Sequence, residues 1–208
     1  MEYCYLKFSE EISAEFRRKA FHLVGLLIPI LYWFLSKTTA LWILGIVCVL
    51  YYLLEICRKL SPSFNQIYLN IAKPLLRESE HNSVAGTAQF LTGCWLTILF
   101  FDKPVAITAT YLFIWSDLGA ALIGKIFGKT KLVHSKSLEG TIGAFGVALL
   151  VLVSCKILLI NDLSIITLCI TSILCPILEL FSKGNWDNFT IPIGTGLVMT
   201  YLPKLYFF

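Results

Sequence analysis

Residues 115–141, WSDLGAALIGKIFGKTKLVHSKSLEGT, hold most of the side chains that could do chemistry in this otherwise apolar chain. Asp117 follows the apolar sequence YLFIW, and an ionisable side chain near the end of a membrane span is costly unless it faces a cavity or a partner. Four lysines follow, at positions 125, 129, 131 and 136, and Glu139 lies at the start of the next apolar run. A carboxylate can bind Mg²⁺, and lysines can bind phosphates. The segment is therefore predicted to handle a phosphate-like anion.

Small residues recur on the helix that would carry this acid. Asp117, Ala121, Gly124 and Gly128 are spaced three or four residues apart, so they share one helix face. Such a face lets a second backbone or a ligand come close. The alternative interpretation is an ordinary cytoplasmic loop whose lysines only set topology, with Asp117 in a structural hydrogen bond. A soluble phosphate-binding loop does not fit, because GKIFGKT has three residues between its glycines where that motif needs four.

The composition predicts a membrane protein. The 208 residues are 57% hydrophobic and 14% charged, and the mean hydropathy of +0.78 is too high for a water-soluble domain. The sequence predicts one all-α domain, 1–208, that forms a polytopic bundle of about seven membrane spans. The predicted spans are 20–36, 40–56, 84–101, 104–124, 141–160, 163–181 and 189–205. No cleavable signal peptide is expected.

The basic residues predict the orientation. Most of the 17 lysines and arginines lie in four segments that would share one side of the membrane, 1–19, 57–83, 125–140 and 182–188. The positive-inside rule places these segments and the N-terminus in the cytoplasm, with the C-terminus outside. Any chemistry of residues 115–141 is then expected at the cytoplasmic face.

The first basic segment also carries titratable groups. In EFRRKAFHLVG, Glu15, Arg18 and His22 share a helix face and Lys19 lies beside them. One interpretation is a titratable cluster at the mouth of the membrane. The other is a stop signal for the first span, followed by a histidine that only makes a structural hydrogen bond.

Two further polar segments flank the predicted spans. The loop 57–83 contains FNQIYLNIAKPLL, which predicts a short interfacial helix that guides a lipid or covers the bundle. Around this loop lie four titratable groups that are either solvated or part of a site, namely Glu55, Glu78, Glu80 and His81. In ELFSKGNWDNFTIPIG, Asp187 and Asn188 come just before the last span, where they cap a helix, bind a ligand or do both.

The central segment resembles a known family. SDLGAALIGKIFGKTKLVHSKSLEGT is similar to the shared core of membrane enzymes that use CTP: dolichol kinase, phytol kinase, the CTP-dependent diacylglycerol kinase of yeast and, more distantly, the phosphatidate cytidylyltransferases. EFRRKAFH resembles the Arg-Lys-x-x-His element that opens the kinase branch, and DNFTIPIG resembles its closing Asp-Asn-x-x-x-Pro element. Nothing after Glu179 resembles the C-terminal signature of the cytidylyltransferases. The chain departs from the usual pattern at Ser116, where these kinases often have glycine.

The resemblance implies that a phosphoryl group passes from CTP, with Mg²⁺, to the hydroxyl group of a membrane lipid alcohol. The alcohol would be polyprenol or dolichol, phytol, or diacylglycerol. The resemblance assigns Asp117 to the metal, and Asp187 would complete the metal site or hold the nucleotide. Glu139 would either bind a second metal or orient Lys136.

The same resemblance implies further roles for individual residues. Lys19 and His22 would approach the transferring phosphoryl group or the lipid hydroxyl, with His22 as the general base because its usual pKa is near neutrality. The implied nucleotide-binding residues are Gly124, Gly128, Lys129, Lys136, Ser137, Gly140 and Asn188.

Two other functions stay open at this stage. The same ligands would serve a phosphatidate cytidylyltransferase, which makes CDP-diacylglycerol from CTP and phosphatidic acid and releases pyrophosphate. A transporter or structural membrane protein would explain the spans but not the ordered polar motifs. The expected partners are the lipid alcohol, the nucleotide and the bilayer, with no nucleic acid. The expected location is the cell membrane of a prokaryote, or the endoplasmic reticulum or a plastid membrane of a eukaryote.

Overall fold

The structure is a computed structural model that describes residue 19, residues 22–72 and residues 86–205. These residues form eight α-helices: α1 (Leu27–Phe34), α2 (Lys37–Leu60), α3 (Pro62–Ala72), α4 (Gly86–Phe100), α5 (Lys103–Phe127), α6 (Leu138–Leu158), α7 (Ile165–Phe181) and α8 (Asp187–Leu205). A 3₁₀ turn, Val133–Ser135, lies between α5 and α6. Among the described residues the β pairing is limited to one isolated bridge between Lys131 and Ser137. The prediction of an all-α fold is confirmed.

The described residues include three helices that are long and apolar enough to cross a membrane, α2, α5 and α6. Shorter apolar helices accompany them at His22–Phe34, Gly86–Phe100 and Ile165–Phe181. The first predicted span is shortened because the backbone turns at residues 25–26. The last one, α8, contains Pro192 and Pro203 and begins with polar residues. The predicted seven spans and the cytoplasmic N-terminus therefore stay predictions.

Helix α5 is the centre of the bundle. Buried residues account for 61% of its most apolar stretch, compared with 17% for α2. Leu112, Phe113 and Ile114 are fully buried there, and α1, α4, α6, α7 and α8 all contact α5. Asp117 lies on this helix, so the central acid of the sequence motif is carried by the most enclosed element.

The outer surface of the bundle is apolar. Trp42 on α2 is 70% exposed and Phe34 at the end of α1 is 80% exposed. Ile157 and Leu158 near the end of α6 are also exposed. A continuous surface of this kind is unfavourable in water and matches the hydrocarbon interior of a bilayer.

Lysines tie the helices together at one end of the bundle. Lys37 donates to the carbonyl oxygen of Phe101 at 2.9 Å, and Lys103 donates to that of Leu35 at the same distance. These bonds satisfy carbonyl groups that the ends of α1 and α4 leave without helical partners. The opposite end, where α5 and α7 finish and α6 and α8 begin, holds the motif residues.

Helices α5 and α6 approach closely through glycines. A side-chain carbon at Gly140 would lie 2.8 Å from the carbonyl oxygen of Ala120 and 3.1 Å from the Cα of Gly124. Neither neighbour is a flexible side chain, so the contact cannot relax without moving a backbone. The small residues on α5 therefore admit a second backbone, as the sequence pattern predicts.

Gly140→Ala is expected to lower stability in detergent by about 1–3 kcal/mol because the added carbon overpacks the contact between α5 and α6. The matched control is Gly146→Ala on the same helix, where an added carbon would meet nothing within 4 Å. We expect the control to leave the thermal midpoint unchanged or to raise it slightly, because alanine favours helix more than glycine does. Equal midpoints for the two variants, measured in one detergent, would contradict the close approach.

Candidate active site

A cavity of about 580 Å³ lies at the motif end of the bundle. Its volume is within the range of small-molecule sites. Its small-residue wall comes from Ala120, Ala121, Gly124 and Gly140. The polar and charged residues of the wall are Lys19, Asp117, Lys125, Lys131, His134, Lys136, Ser137, Thr141, Glu179, Ser182 and Asp187. Residues from four helices, two loops and the N-terminal segment thus meet around one space.

Asp117 links the N-terminal segment to α5. The Nζ atom of Lys19 donates a hydrogen bond to Oδ2 of Asp117, across 98 positions of sequence. His22 Nε2 lies 3.5 Å from the same oxygen. The side chains of Lys19 and Asp117 are only 7% and 14% exposed. Three of the predicted site residues are therefore brought together, while Glu15 and Arg18 lie outside the described residues.

His22 lies between this acid and an aromatic cluster. Its ring centroid is 5.0 Å from that of Phe90 and 5.2 Å from that of Phe113. His22 is not a residue of the cavity wall. It lies beside Asp117, which is a wall residue. The imidazole thus has an apolar side and a charged side.

Lys136 lies between two carboxylates. Its Nζ atom is 3.6 Å from Oε1 of Glu179 and 3.8 Å from Oδ2 of Asp187. The same atom donates a hydrogen bond to the backbone oxygen of Glu179. The two carboxylate side chains are 9% and 10% exposed. Charged groups that are buried this close together must neutralise one another. The positive charge of Lys136 therefore stabilises both carboxylates.

The loop between α5 and α6 carries lysines into the cavity wall. The amide of Leu132 donates to the carbonyl oxygen of Lys136 at 2.7 Å, and the amide of Leu138 donates to that of Thr130 at 3.0 Å. The turn passes through His134, whose φ of 55° is the one positive value among the described non-glycine residues. A left-handed histidine costs conformational energy, and such positions cluster at functional sites. The turn places His134 in the wall between Lys131 and Lys136.

Two predicted residues of this loop region lie outside the cavity wall. The carboxylate of Glu139 accepts hydrogen bonds from the amide of Thr130, at 3.2 and 3.3 Å. Lys129 is exposed and is not a wall residue. The structure therefore does not bring Glu139 to Asp117, and its position suits a residue that fixes the loop carrying Lys136.

The motif glycines and the serine have separate structural tasks. Ser137 Oγ accepts a hydrogen bond from the amide of Gly140 at 3.1 Å and so caps α6. Gly128 ends α5, with its amide donating to the carbonyl oxygen of Gly124 at 3.1 Å. Gly124, Ser137 and Gly140 also line the cavity, and Gly128 does not.

Asp187 and Asn188 have different positions relative to the cavity. Asp187 belongs to the cavity wall. Asn188 Nδ2 donates to the carbonyl oxygen of Gly86 at 3.1 Å, which ties the start of α8 to the start of α4. Asn188 is not a wall residue, so its predicted contact with the nucleotide stays a prediction.

The acids of the cavity wall are candidate ligands of a cation. No group of three histidine, cysteine or acidic side chains within residues 19, 22–72 and 86–205 is close enough to hold a metal ion as it stands. Asp117, Glu179 and Asp187 nevertheless line one cavity, and carboxylate oxygens are the ligands that Mg²⁺ prefers. Oε2 of Glu179 is buried and has no hydrogen-bond partner among the described residues. These residues fit a hard divalent cation.

Glu179 is a wall residue for which the sequence patterns predict no role. The residue lies in the last turns of α7. The available signal was a carboxylate inside an apolar run, which is costly without a partner. Its proximity to Lys136, 43 positions away, could not be inferred from spacing.

A second buried ion pair lies away from the cavity. Arg58 Nη2 is 2.9 Å from Oε2 of Glu55, and both side chains are almost fully buried. Arg58 also donates to Asn65 Oδ1 at 3.3 Å and lies 5.1 Å from the ring centroid of Tyr68. These contacts attach α3 to the end of α2. Glu55 is thus structural, while Glu78, Glu80 and His81 lie outside the described residues.

The chain is similar to three curated proteins that have the same name. The chain is 29% identical over 219 aligned positions to CTP-dependent diacylglycerol kinase 1 of Saccharomyces cerevisiae, covering 92% of this chain and 74% of that protein. The protein of the same name from Eremothecium gossypii is 30% identical over 182 positions. The one from Schizosaccharomyces pombe is 35% identical over 86 positions. The chain is therefore similar, over most of its length, to CTP-dependent lipid kinases.

The similarity to these lipid kinases covers different shares of each relative. The chain spans 56% of the Eremothecium gossypii protein and 39% of the Schizosaccharomyces pombe protein. No family profile and no solved structure matches the chain. The cavity geometry is therefore the basis for assigning residues to roles.

Proposed function

We propose that this membrane protein transfers the γ-phosphoryl group of CTP to the hydroxyl group of a membrane lipid alcohol, and that the alcohol is diacylglycerol. The observation that carries the proposal is the single cavity that joins Asp117 to Lys19, Lys136 and Asp187 at one end of an apolar bundle. The printed names of the relatives support CTP as the donor and diacylglycerol as the acceptor. Polyprenol and phytol are the competing acceptors.

The positive side of the cavity would bind the nucleotide. Lys136, Lys131 and Lys125 line the wall, and their charges would offset those of the phosphates. His134 lies at the same rim. Lys136 now interacts with Glu179 and Asp187, so phosphate binding would compete with the carboxylates for its charge. Mg²⁺, held by Asp117 and Asp187, would neutralise charge on the phosphate oxygens during transfer.

The acceptor would approach from the side of His22. The imidazole of His22 would take the proton of the lipid hydroxyl as the hydroxyl oxygen attacks the γ-phosphorus. The bond from that phosphorus to the bridging oxygen breaks, and CDP leaves with the bonding electrons. Asp117, 3.5 Å from Nε2, stabilises the protonated imidazole. Lys19, bonded to Asp117, is close enough to contact the transferring group.

The orientation of this site is part of the proposal. The cavity end of the bundle carries the lysines at positions 125, 129, 131 and 136, so the positive-inside rule places it in the cytoplasm, where CTP is available. The lipid hydroxyl would meet the nucleotide at the membrane surface.

The acceptor is tested with purified protein in mixed micelles that contain Mg²⁺ and CTP labelled in the γ position. Diacylglycerol, polyprenol and phytol are offered singly and then together at equal mole fraction. We expect labelled phosphatidic acid to be the main product of the competition. Preferential labelling of polyprenol or phytol would replace the acceptor, and transfer to none of the three would contradict the proposed function.

A further inference from the structure

Glu179 is the most unusual charged group in the cavity wall. It lies on α7, two residues before the helix ends at Phe181. Its side chain is only 9% exposed. Its Oε2 atom has no hydrogen-bond partner within the part of the chain that the structure describes. A buried carboxylate oxygen in this state is costly unless a charged ligand completes it.

The surroundings of Glu179 are rich in acids. Its charge interacts with those of Asp117 and Asp187 as well as with those of Lys136 and Lys19. Three carboxylates thus share the wall with two buried or half-buried lysines, and the carboxylates repel one another. Lys136 Nζ, at 3.6 Å from Glu179 and 3.8 Å from Asp187, occupies the point between two acids where a small cation would also be favoured.

We propose that Glu179 is a further ligand of the divalent cation, beside Asp187 in the cavity wall that also contains Asp117. Oxygen atoms from carboxylates, with water, suit a hard cation such as Mg²⁺ or Mn²⁺. The cation would replace Lys136 between Glu179 and Asp187. This assignment adds an acid from α7 to the site, in place of the second-metal role that was one of two alternatives for Glu139.

The inference rests on the proposed function in one respect. The role given to the cation is to hold phosphate oxygens near Lys136. Binding of the cation itself needs neither CTP nor lipid. It can therefore be measured without any turnover, and the two ideas can fail separately.

The test is a titration of the purified protein with Mn²⁺ alone, followed by electron paramagnetic resonance of the free ion. The wild type is expected to bind Mn²⁺ saturably, and Glu179→Gln is expected to bind it about tenfold more weakly or worse because an uncharged amide replaces a ligand. Glu179→Asp retains the charge and is expected to bind more tightly than Glu179→Gln. Asp162→Asn, an exposed acid at the other end of the bundle, is the matched control with wild-type affinity.

Glu139→Gln separates the two candidate acids. We expect it to retain wild-type affinity for Mn²⁺, because Glu139 contacts the amide of Thr130. Added Mn²⁺ should also raise the thermal midpoint of the wild type but not that of Glu179→Gln, which confirms that the variant is folded and lacks only the ion.

Three outcomes would overturn the inference: no saturable Mn²⁺ binding by the wild type, wild-type affinity in Glu179→Gln, or a loss of affinity in Glu139→Gln alone. Mn²⁺ binding that depends on Glu179 in a protein without phosphoryl transfer would retain the cation site and reject the proposed function. Phosphoryl transfer with Mn²⁺ binding independent of Glu179 would do the reverse.

Discussion

Asp117→Asn is expected to lower kcat/KM for phosphoryl transfer by about a thousandfold, the scale of loss when a preorganised charge is removed from an active site. Asparagine has nearly the shape of aspartate but no charge. The substitution removes a proposed cation ligand and leaves Lys19 and His22 without their shared acid. The measurement is initial-rate kinetics with labelled CTP, at saturating lipid, on protein whose folding has been checked by its thermal midpoint.

Loss of the ion pair also affects stability, so a second variant is needed. Removing one partner of a buried pair costs about 3–5 kcal/mol, because the other charge stays buried and uncompensated. The double variant Lys19→Met, Asp117→Asn removes both charges of the pair and should recover part of the thermal midpoint. If the pair of Lys19 and Asp117 were only structural, the double variant would recover activity as well. We expect stability to return and activity to stay low.

Lys136→Met is expected to have the second largest effect, a loss of about a hundredfold or more in kcat/KM with a raised KM for CTP. Methionine has a similar length but no charge for the phosphates. The change also leaves Glu179 and Asp187 facing each other without the cation that lies between them in the structure. The KM and kcat for CTP, measured separately, distinguish loss of nucleotide binding from loss of transition-state stabilisation.

Lys183→Met is the matched control for this variant. Lys183 is exposed just beyond α7, close to the site in sequence but not in the cavity wall. The control should retain wild-type kinetics and show that a general loss of positive charge is not the cause. Near-normal turnover in Lys136→Met, with an unchanged KM for CTP, would remove Lys136 from the proposed mechanism.

Much of the site could be predicted from local patterns. The acid at the end of an apolar run, the small residues at helical spacing and the four lysines all lie within 27 consecutive residues, 115–141. Helical spacing determines which of these residues share a face, and a face of small residues admits a second backbone, as α5 and α6 do at Gly124 and Gly140. Such features need only local geometry.

The rest of the site depends on contacts between distant segments. Glu179 meets Lys136 because α7 packs against the start of α6, and no spacing rule predicts which turn of one helix faces which turn of another. Glu139 lies two residues into α6, but its side chain turns to the amide of Thr130. The family resemblance suggested that Glu139 acts at the metal or orients Lys136, and the first of these roles gains no support from its position.

Span counting was limited for a different reason. Apolar runs predict where helices form, but their lengths depend on turns and prolines that hydropathy does not detect. Residues 25–26 break the first run, and the short helix α3, predicted from FNQIYLNIAKPLL, is present with its apolar Ile67 and Ile71 exposed. The number of crossings therefore requires a topology experiment as well as the helix bounds.

The central claim is that the γ-phosphorus of CTP is transferred to a lipid alcohol, and two labelled forms of CTP test it most directly. Purified protein with Mg²⁺ is given diacylglycerol and phosphatidic acid, once with label in the α position and once in the γ position. We expect γ label in phosphatidic acid, no α label in lipid, and release of CDP. Label from the α position in CDP-diacylglycerol, with release of pyrophosphate, would contradict it and identify a cytidylyltransferase.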